Sequence, residues 1–144
     1  MTDGHEIKIF LVDDDVVFLR SLEIEFLESG DFTIETFASG ELCMKSIRQN
    51  PDIIILDYIL DGVDENAMNG IETLDKIRAY NPDIPVVMLS AQDKIEVAVN
   101  CMHHKAFDYV VKSETAFMRL QKIIAAILKY RKLEKELIWY MERM

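Results

Sequence analysis

The chain alternates between short apolar runs and longer stretches with helical spacing. IKIFLV (7–12) is an apolar run of strand length. Residues 15–28 carry Phe18, Leu19, Leu22 and Phe26 at the spacing of one helix face. Ser29-Gly30 is expected to stop that helix, with the glycine in a left-handed cap. FTIETF (32–37) alternates like a strand. Ser39 is placed to cap a helix through 49, which Asn50-Pro51 ends. DIIILD (52–57) is a continuous β-branched run, the signature of a strand buried on both faces. A polar loop, 58–69, follows it. Ile71, Leu74 and Ile77 then share one helix face over 70–80, and NPDIP breaks the chain. IPVVMLS (84–90) predicts a buried strand. Residues 93–104 place Ile95, Val99 and Met102 on a helix, and FDYVV (107–111) predicts a fifth strand. A last helical pattern runs from about 114 to near the end.

Five strands alternating with five helices predict a (βα)5 architecture. Buried strands of this kind imply a doubly wound parallel sheet with helices on both faces, an α/β class. No internal repeat or low-complexity segment interrupts the pattern.

Composition narrows the function classes. The 144 residues suit one domain with an ordinary core, and half of them are hydrophobic, which argues against disorder. No apolar run approaches the roughly 20 residues of a membrane span. The start, MTDGHEIKI, lacks the basic-then-apolar layout of a signal peptide, so a cytoplasmic location is expected. Cys43 and Cys101 belong to no CxxC pattern and read as reduced, partly buried thiols. The net charge of −10 argues against direct nucleic-acid binding by broad phosphate neutralisation. Residues 129–144 depart from the rest, with five Lys/Arg against three Glu.

In open α/β sheets, sites form outside the carboxyl ends of the strands. There the sequence puts Asp13 and Asp14 after strand one, Asp57 after strand three, Ser90 after strand four and Lys112 after strand five. One acid after a strand is ordinarily a turn residue or a helix cap. Five such groups at successive strand ends are hard to assign to turns. Three carboxylates suit a hard, oxygen-loving cation such as Mg²⁺, which keeps waters and a substrate phosphate in its octahedron. A carboxylate can also attack phosphorus to give an aspartyl phosphate, and such transfer needs chiefly positioning and charge neutralisation.

LVDDD, DIIILD, NGIETLDKIR, VVMLSA and FDYVVK together make the chain resemble a receiver domain of a two-component response regulator, over about residues 6–128. The resemblance implies a flavodoxin-like fold with strand order 2-1-3-4-5 that takes phosphate from a histidine kinase or phosphotransfer protein. By that resemblance Asp57 is the phosphoacceptor. Asp13, Asp14, Asp57 and the Ile59 backbone carbonyl are the ligands of Mg²⁺, for which Mn²⁺ can substitute. Ser90 resembles the switch hydroxyl, Tyr109 the aromatic that rotates with it, and Lys112 the lysine that pairs with phosphoryl oxygens. Asp15 reads as a first-turn acid favoured by the helix dipole.

The chain departs from the family pattern in four places. Asp61 stands where a proline is common, and DGVDENAMN carries about five extra residues before Gly70; a tolerated surface insertion is the favoured reading over a role in metal or kinase access. Ser113 stands where a proline follows the lysine, often in the cis form, which puts that bond's geometry in question. Lys105 stands where a glycine usually ends the fourth helix, so a left-handed backbone there costs about 1 kcal/mol. His103 and His104 lack acid or Cys partners at ligand spacing and read as surface residues.

The last helical pattern is longer than a sheet-covering helix needs, which divides the chain into a receiver domain (1–128) and a helical extension (129–144). Ile123, Ile127 and Leu120 are expected on the sheet. Tyr130, Leu133, Leu137, Tyr140 and Met144 continue along one face, and that stripe needs a partner. A homodimer through residues 114–144 is expected; the domain's own surface and an output domain outside this chain are the alternatives.

The expected function is a phosphorylation-controlled signalling switch, not a substrate-turnover enzyme. Phosphate on Asp57 would be relayed by Ser90 and Tyr109 to the face of helix four, strand five and helix five, and on to a downstream protein target. Two rivals remain. A stand-alone Mg²⁺-dependent phosphohydrolase lacks a DxDx motif and a cap domain here. A degenerate receiver-like binding module that never takes phosphate would not need all five site positions filled.

Overall fold

In this computed structural model, residues 6–144 are described. Five strands alternate with five helices: β1 (Ile7–Val12), α1 (Val16–Ser29), β2 (Phe32–Phe37), α2 (Gly40–Lys45), β3 (Ile53–Asp57), α3 (Gly70–Tyr80), β4 (Val86–Ser90), α4 (Ile95–His103), β5 (Asp108–Val111) and α5 (Ala116–Glu142). All four strand pairings are parallel, in the order β2-β1-β3-β4-β5. This is the flavodoxin-like order expected, with β3 at the centre between β1 and β4.

Every residue of β3 and β4 is buried, as the continuous apolar runs predict. Alternate residues of these strands feed two separate cores. On one face Phe10, Ile54, Leu56 and Met88 pack with Leu74 and Ile77 of α3, and with Val97 and Cys101 of α4. On the other, Ile9, Leu11, Ile55 and Leu89 pack with Leu22 and Phe26 of α1, and with Leu120, Ile124 and Ile127 of α5. A sheet covered on both faces has nowhere to open a site except at its ends.

Local chemistry sets the helix starts. Asp15 sits at the N-cap of α1, not inside its first turn, and accepts a hydrogen bond from Phe18 N at 3.2 Å. Ser39 caps α2 through Leu42 N. Asn69 and Glu72 form a reciprocal capping box on α3.

Several sequence expectations are corrected. Gly30 is extended, at φ 174°, and not left-handed: the chain leaves α1 straight into the turn to β2, where a Cβ would stand 3.2 Å from the Phe32 ring. The helix expected through 49 stops at Lys45 and becomes a 3-10 turn over Ile47–Gln49, closed by a left-handed Asn50. Ile95, Val99 and Met102 lie on α4 but face outward, while Val97 and Cys101 make its core contact. Lys105 does carry a left-handed backbone, at φ 69°, and the Lys112–Ser113 bond is trans like every other among the described residues. His104 is not a bare surface residue: its Nδ1 lies 2.9 Å from Asp75 Oδ1 on α3. Cys43 and Cys101 are completely buried, not partly, and are not disulfide-bonded.

α5 runs 27 residues, about 40 Å at 1.5 Å per residue. Its first half covers the sheet. At the far end of the sheet Arg131 clasps Asp52, with Nη1 on the carboxylate at 3.1 Å and Nη2 on the backbone oxygen at 2.9 Å. Beyond Arg131 every residue is exposed. No helix among the described residues is long and apolar enough to cross a membrane.

Candidate phosphoryl and metal site

The carboxyl ends of β1, β3, β4 and β5 converge. Asp13 follows β1 directly, Asp57 ends β3, Ser90 ends β4 and Lys112 follows β5. Parallel pairing in register is what brings them together: Asp57 pairs with Leu89, and Ser90 with Val111, so the strand ends stop at one level. Backbone bonds from Tyr58 N to Leu89 O (2.7 Å) and from Lys112 N to Ser90 O (2.8 Å) carry the pairing just past the strands.

Asp13, Asp14 and Asp57 each offer a carboxylate oxygen within 4.8 Å of the others. Asp13 and Asp57 are buried, and Asp14 is half-buried. Lys112 Nζ stands 2.7 Å from Asp13 Oδ2 and 3.3 Å from Asp57 Oδ1. It also lies over the Phe18 ring, 4.5 Å from its centre. Phe18 was read from sequence only as part of a helix face, yet it braces the lysine from α1.

The electrostatics are those of a crowded anionic pocket. Burial, then the charge of Asp13, pushes the Asp57 carboxyl up to about 7, against the opposing pull of Lys112. Burial alone would lower Lys112, but its bonds and charge contacts to Asp13 and Asp57 hold it above its usual value. Asp13 Oδ1 accepts from Asp15 N at 2.9 Å. Asp13 Oδ2 is buried and accepts no hydrogen bond of regular geometry, despite the nearby ammonium. One lysine does not balance three acids. A divalent cation would relieve both the surplus charge and the orphaned oxygen, so the residues present fit Mg²⁺.

The remaining predicted residues lie around this centre. Ser90 is buried, and its Oγ accepts from Gln92 N at 3.0 Å. Tyr109, on β5, donates its hydroxyl to the Gln92 carbonyl, and burial raises its pKa. Gln92 therefore touches both, a link that sequence spacing does not reveal. Ile59 sits in the loop two residues after Asp57. Gly70 N donates to Tyr58 O at 3.0 Å, and a Cβ on Gly70 would meet Asp57 O at 2.3 Å. Glycine is thus required where α3 presses on the phosphoacceptor candidate's backbone.

The long loop 58–69 is tied down at two points. Val63 N donates to Asp14 Oδ2 at 3.3 Å, and Met68 N to Glu41 Oε2 of α2 at 2.8 Å. The insertion therefore borders the acidic centre.

A sheet of order 2-1-3-4-5 with acids on its central strand ends and a lysine after the fifth defines a receiver-type protein. Residues 9–126 match the family described as Response regulator receiver domain, and the chain belongs to that family. It is 27% identical over 132 residues to the transcriptional regulatory protein ZraR of Klebsiella oxytoca, covering 92% of this chain and 28% of that protein. It is 29% identical over 126 residues to the probable transcriptional regulatory protein TcrX of Mycobacterium tuberculosis, covering 85% and 51%. The chain thus spans about half or less of the length of these relatives. Among solved structures, NtrX of Brucella abortus superposes with a TM-score of 0.81 at 27% identity, over 97% of this chain and 31% of that one. The signal receiver domain of a LuxO repressor protein from Vibrio parahaemolyticus superposes at 0.78 and 25% identity, over 92% and 98%.

Receiver domains are signalling switches that work with histidine kinases or phosphotransfer proteins and bind Mg²⁺ at an acidic cluster.

Proposed function

We propose that this chain is a phosphorylation-controlled switch whose phosphoacceptor is Asp57. The observation that carries the reading is the meeting of Asp13, Asp14 and Asp57 with Lys112 at one sheet end. An Asp57 carboxylate oxygen attacks the phosphorus of a kinase or phosphotransfer-protein phosphohistidine. The O–P bond forms as the P–N bond breaks, and the electron pair leaves with the imidazole. Lys112 leaves its pairing with the acids and binds the new phosphoryl oxygens. Asp13, Asp14, Asp57 and the Ile59 carbonyl hold Mg²⁺, which when bound supplies the charge neutralisation that lets a dianion approach three acids.

Phosphorylation adds about two negative charges beside Ser90. The Ser90 hydroxyl, which now accepts from Gln92 N, becomes a donor to the phosphoryl group. Gln92 is freed with it, and Tyr109 loses its present acceptor. This shifts the population of β5 and its flanking helices α4 and α5 toward a second arrangement, which a downstream target or output domain reads. The receiver unit of this switch is residues 1–128, residues 129–144 form an extension, and the setting is cytoplasmic.

Intact-mass measurement after incubation with acetyl phosphate and Mg²⁺ tests this. Wild type should gain one phosphoryl mass, and Asp57→Asn none; chelating the metal should abolish the gain. An unmodified wild type that also fails to bind Mg²⁺ would leave a binding module that is never phosphorylated.

A further inference from the structure

The loop between β3 and α3, residues 58–69, is fixed at both ends. Near its start Leu60 is 1% exposed and belongs to the same core cluster as Phe10, Leu56 and Leu74. Near its end Met68 N donates to Glu41 Oε2 on α2 at 2.8 Å, and Asn69 caps α3. Residues 62–66 between these anchors are exposed. A turn closes them: Asn66 N donates to Asp64 Oδ1, and Ala67 N to the Asp64 carbonyl, both at 3.0 Å.

This exposed stretch nevertheless reaches the acidic centre. Val63 N donates to Asp14 Oδ2 at 3.3 Å. Gly62 permits the approach, since a Cβ there would already stand 3.3 Å from the same oxygen. The Val63 side chain is 83% exposed, so what Val63 contributes here comes from its backbone.

Asp14 is the ligand candidate that most needs such a partner. Asp13 and Asp57 are buried, whereas Asp14 is half-buried. A half-buried carboxylate beside two others can turn away from them into water. A donated amide hydrogen bond holds its orientation and offsets part of the mutual repulsion. A cation then meets a ligand already in place and does not have to order it.

We propose that the loop is a strap that positions Asp14 for the cation, with the Val63 amide as the positioning group and the Met68–Glu41 bond as its anchor. The inference rests on the reading of Asp13, Asp14 and Asp57 as a Mg²⁺ site. The stretch DGVDENAMN is then not idle surface length, because it supplies both amides.

Calorimetric titration of the unphosphorylated whole chain with Mg²⁺ tests the strap. Val63→Pro removes the amide hydrogen and is compatible with the negative φ at this position. It should weaken Mg²⁺ binding about 10-fold, the low end for losing a bond to a metal ligand, because this bond is exposed. Val63→Ala keeps the amide and should bind as wild type does. Glu41→Ala frees the anchor and should weaken binding by less than Val63→Pro. Glu41→Gln keeps an acceptor for Met68 N and should bind normally. The loss in Val63→Pro should persist at about 1 M salt, where the Debye length is about 3 Å. Combined Asp61→Asn, Asp64→Asn and Glu65→Gln should cost affinity only at low salt. With chelator present, Val63→Pro and wild type should melt together.

Val63→Pro binding Mg²⁺ as tightly as wild type overturns the strap. So does Val63→Ala losing as much affinity as Val63→Pro, which would make the side chain the agent. A loss in Val63→Pro that comes with lower melting in chelator, while Glu41→Ala binds normally, overturns it too, since the loop would then act through the fold. Failure of the site reading looks different: wild type itself would bind no Mg²⁺, and the strap would fall with it. If Asp13→Asn abolishes binding and Val63→Pro does not weaken it, the strap alone falls.

Discussion

Lys112 Nζ lies 2.7 Å from Asp13 Oδ2, closer than its 3.3 Å approach to Asp57 Oδ1. The lysine thus leans toward a metal-ligand candidate in this state, and the proposed switch requires it to release that contact. Its position, about 85% buried with Phe18 beneath it, makes the pair an electrostatic keystone of the sheet end. Lys112→Met would leave Asp13 buried and uncompensated. Breaking a buried pair from one side costs about 3 kcal/mol. Urea titration of metal-free protein should show a loss of that order, and saturating Mg²⁺ should recover part of it by binding the folded state alone. Equal losses with and without Mg²⁺ would count against a metal at Asp13.

The raised Asp57 pKa sets a pH dependence whose sign is fixed. Folded Asp57 titrates near 7, well above its ordinary 3.8, so the folded state holds the proton more tightly. Its contribution to stability is complete below about pH 4 and is lost as pH rises through about 7. Asp57→Asn lacks this term. In metal-free buffer the stability of Asp57→Asn relative to wild type should rise by about 2 to 3 kcal/mol between pH 5 and pH 8. Paired denaturation curves at the two pH values read it directly; a constant difference would mean that Asp57 is not held in a charge-hostile site.

Gly70 presses α3 against the backbone of Asp57 and Tyr58. In Gly70→Ala the new methyl must displace Asp57 O or Tyr58, both of which are backbone neighbours with little room to move. Overpacking of this kind costs about 1 to 3 kcal/mol. Because the displaced atom belongs to Asp57, phosphorylation by acetyl phosphate should slow along with the loss of stability. Thermal melting and the time course of mass gain measure the two effects on one sample.

Both cysteines should be inert in the folded protein. Burial pushes the Cys43 thiol up to about 12 and Cys101 up to about 11, so almost no thiolate exists near neutrality. Iodoacetamide at pH 8 should label neither in the native state and both in urea. Rapid native labelling of Cys101 would mean that α4 opens from the sheet, since this residue is part of its core contact.

Much of this was legible along the chain because it depends on local periodicity. IKIFLV and FTIETF became β1 and β2 without change, and GIETLDKIRAY became α3 with its capping Asn69. The site acids were readable for a related reason. In a parallel α/β sheet the carboxyl ends of the strands all point one way, so a residue's place at a strand end is also its place in the site. Left-handed Lys105 was visible as a glycine position filled by another residue.

What sequence alone determined, then, was the order and type of the elements, the sheet class, and which side chains reach the common rim. The tertiary structure decided contacts between distant segments: the clasp of Arg131 on Asp52, 79 residues apart, His104 on Asp75, and Gln92 joining Ser90 to Tyr109. It also decided which face of α4 is covered, turning Ile95, Val99 and Met102 outward, and it left Gly30 extended where a left-handed cap was expected. The physical reason is one of range. Periodicity and capping act within a few residues, whereas burial of a particular helix face depends on where its neighbours lie after the sheet has formed.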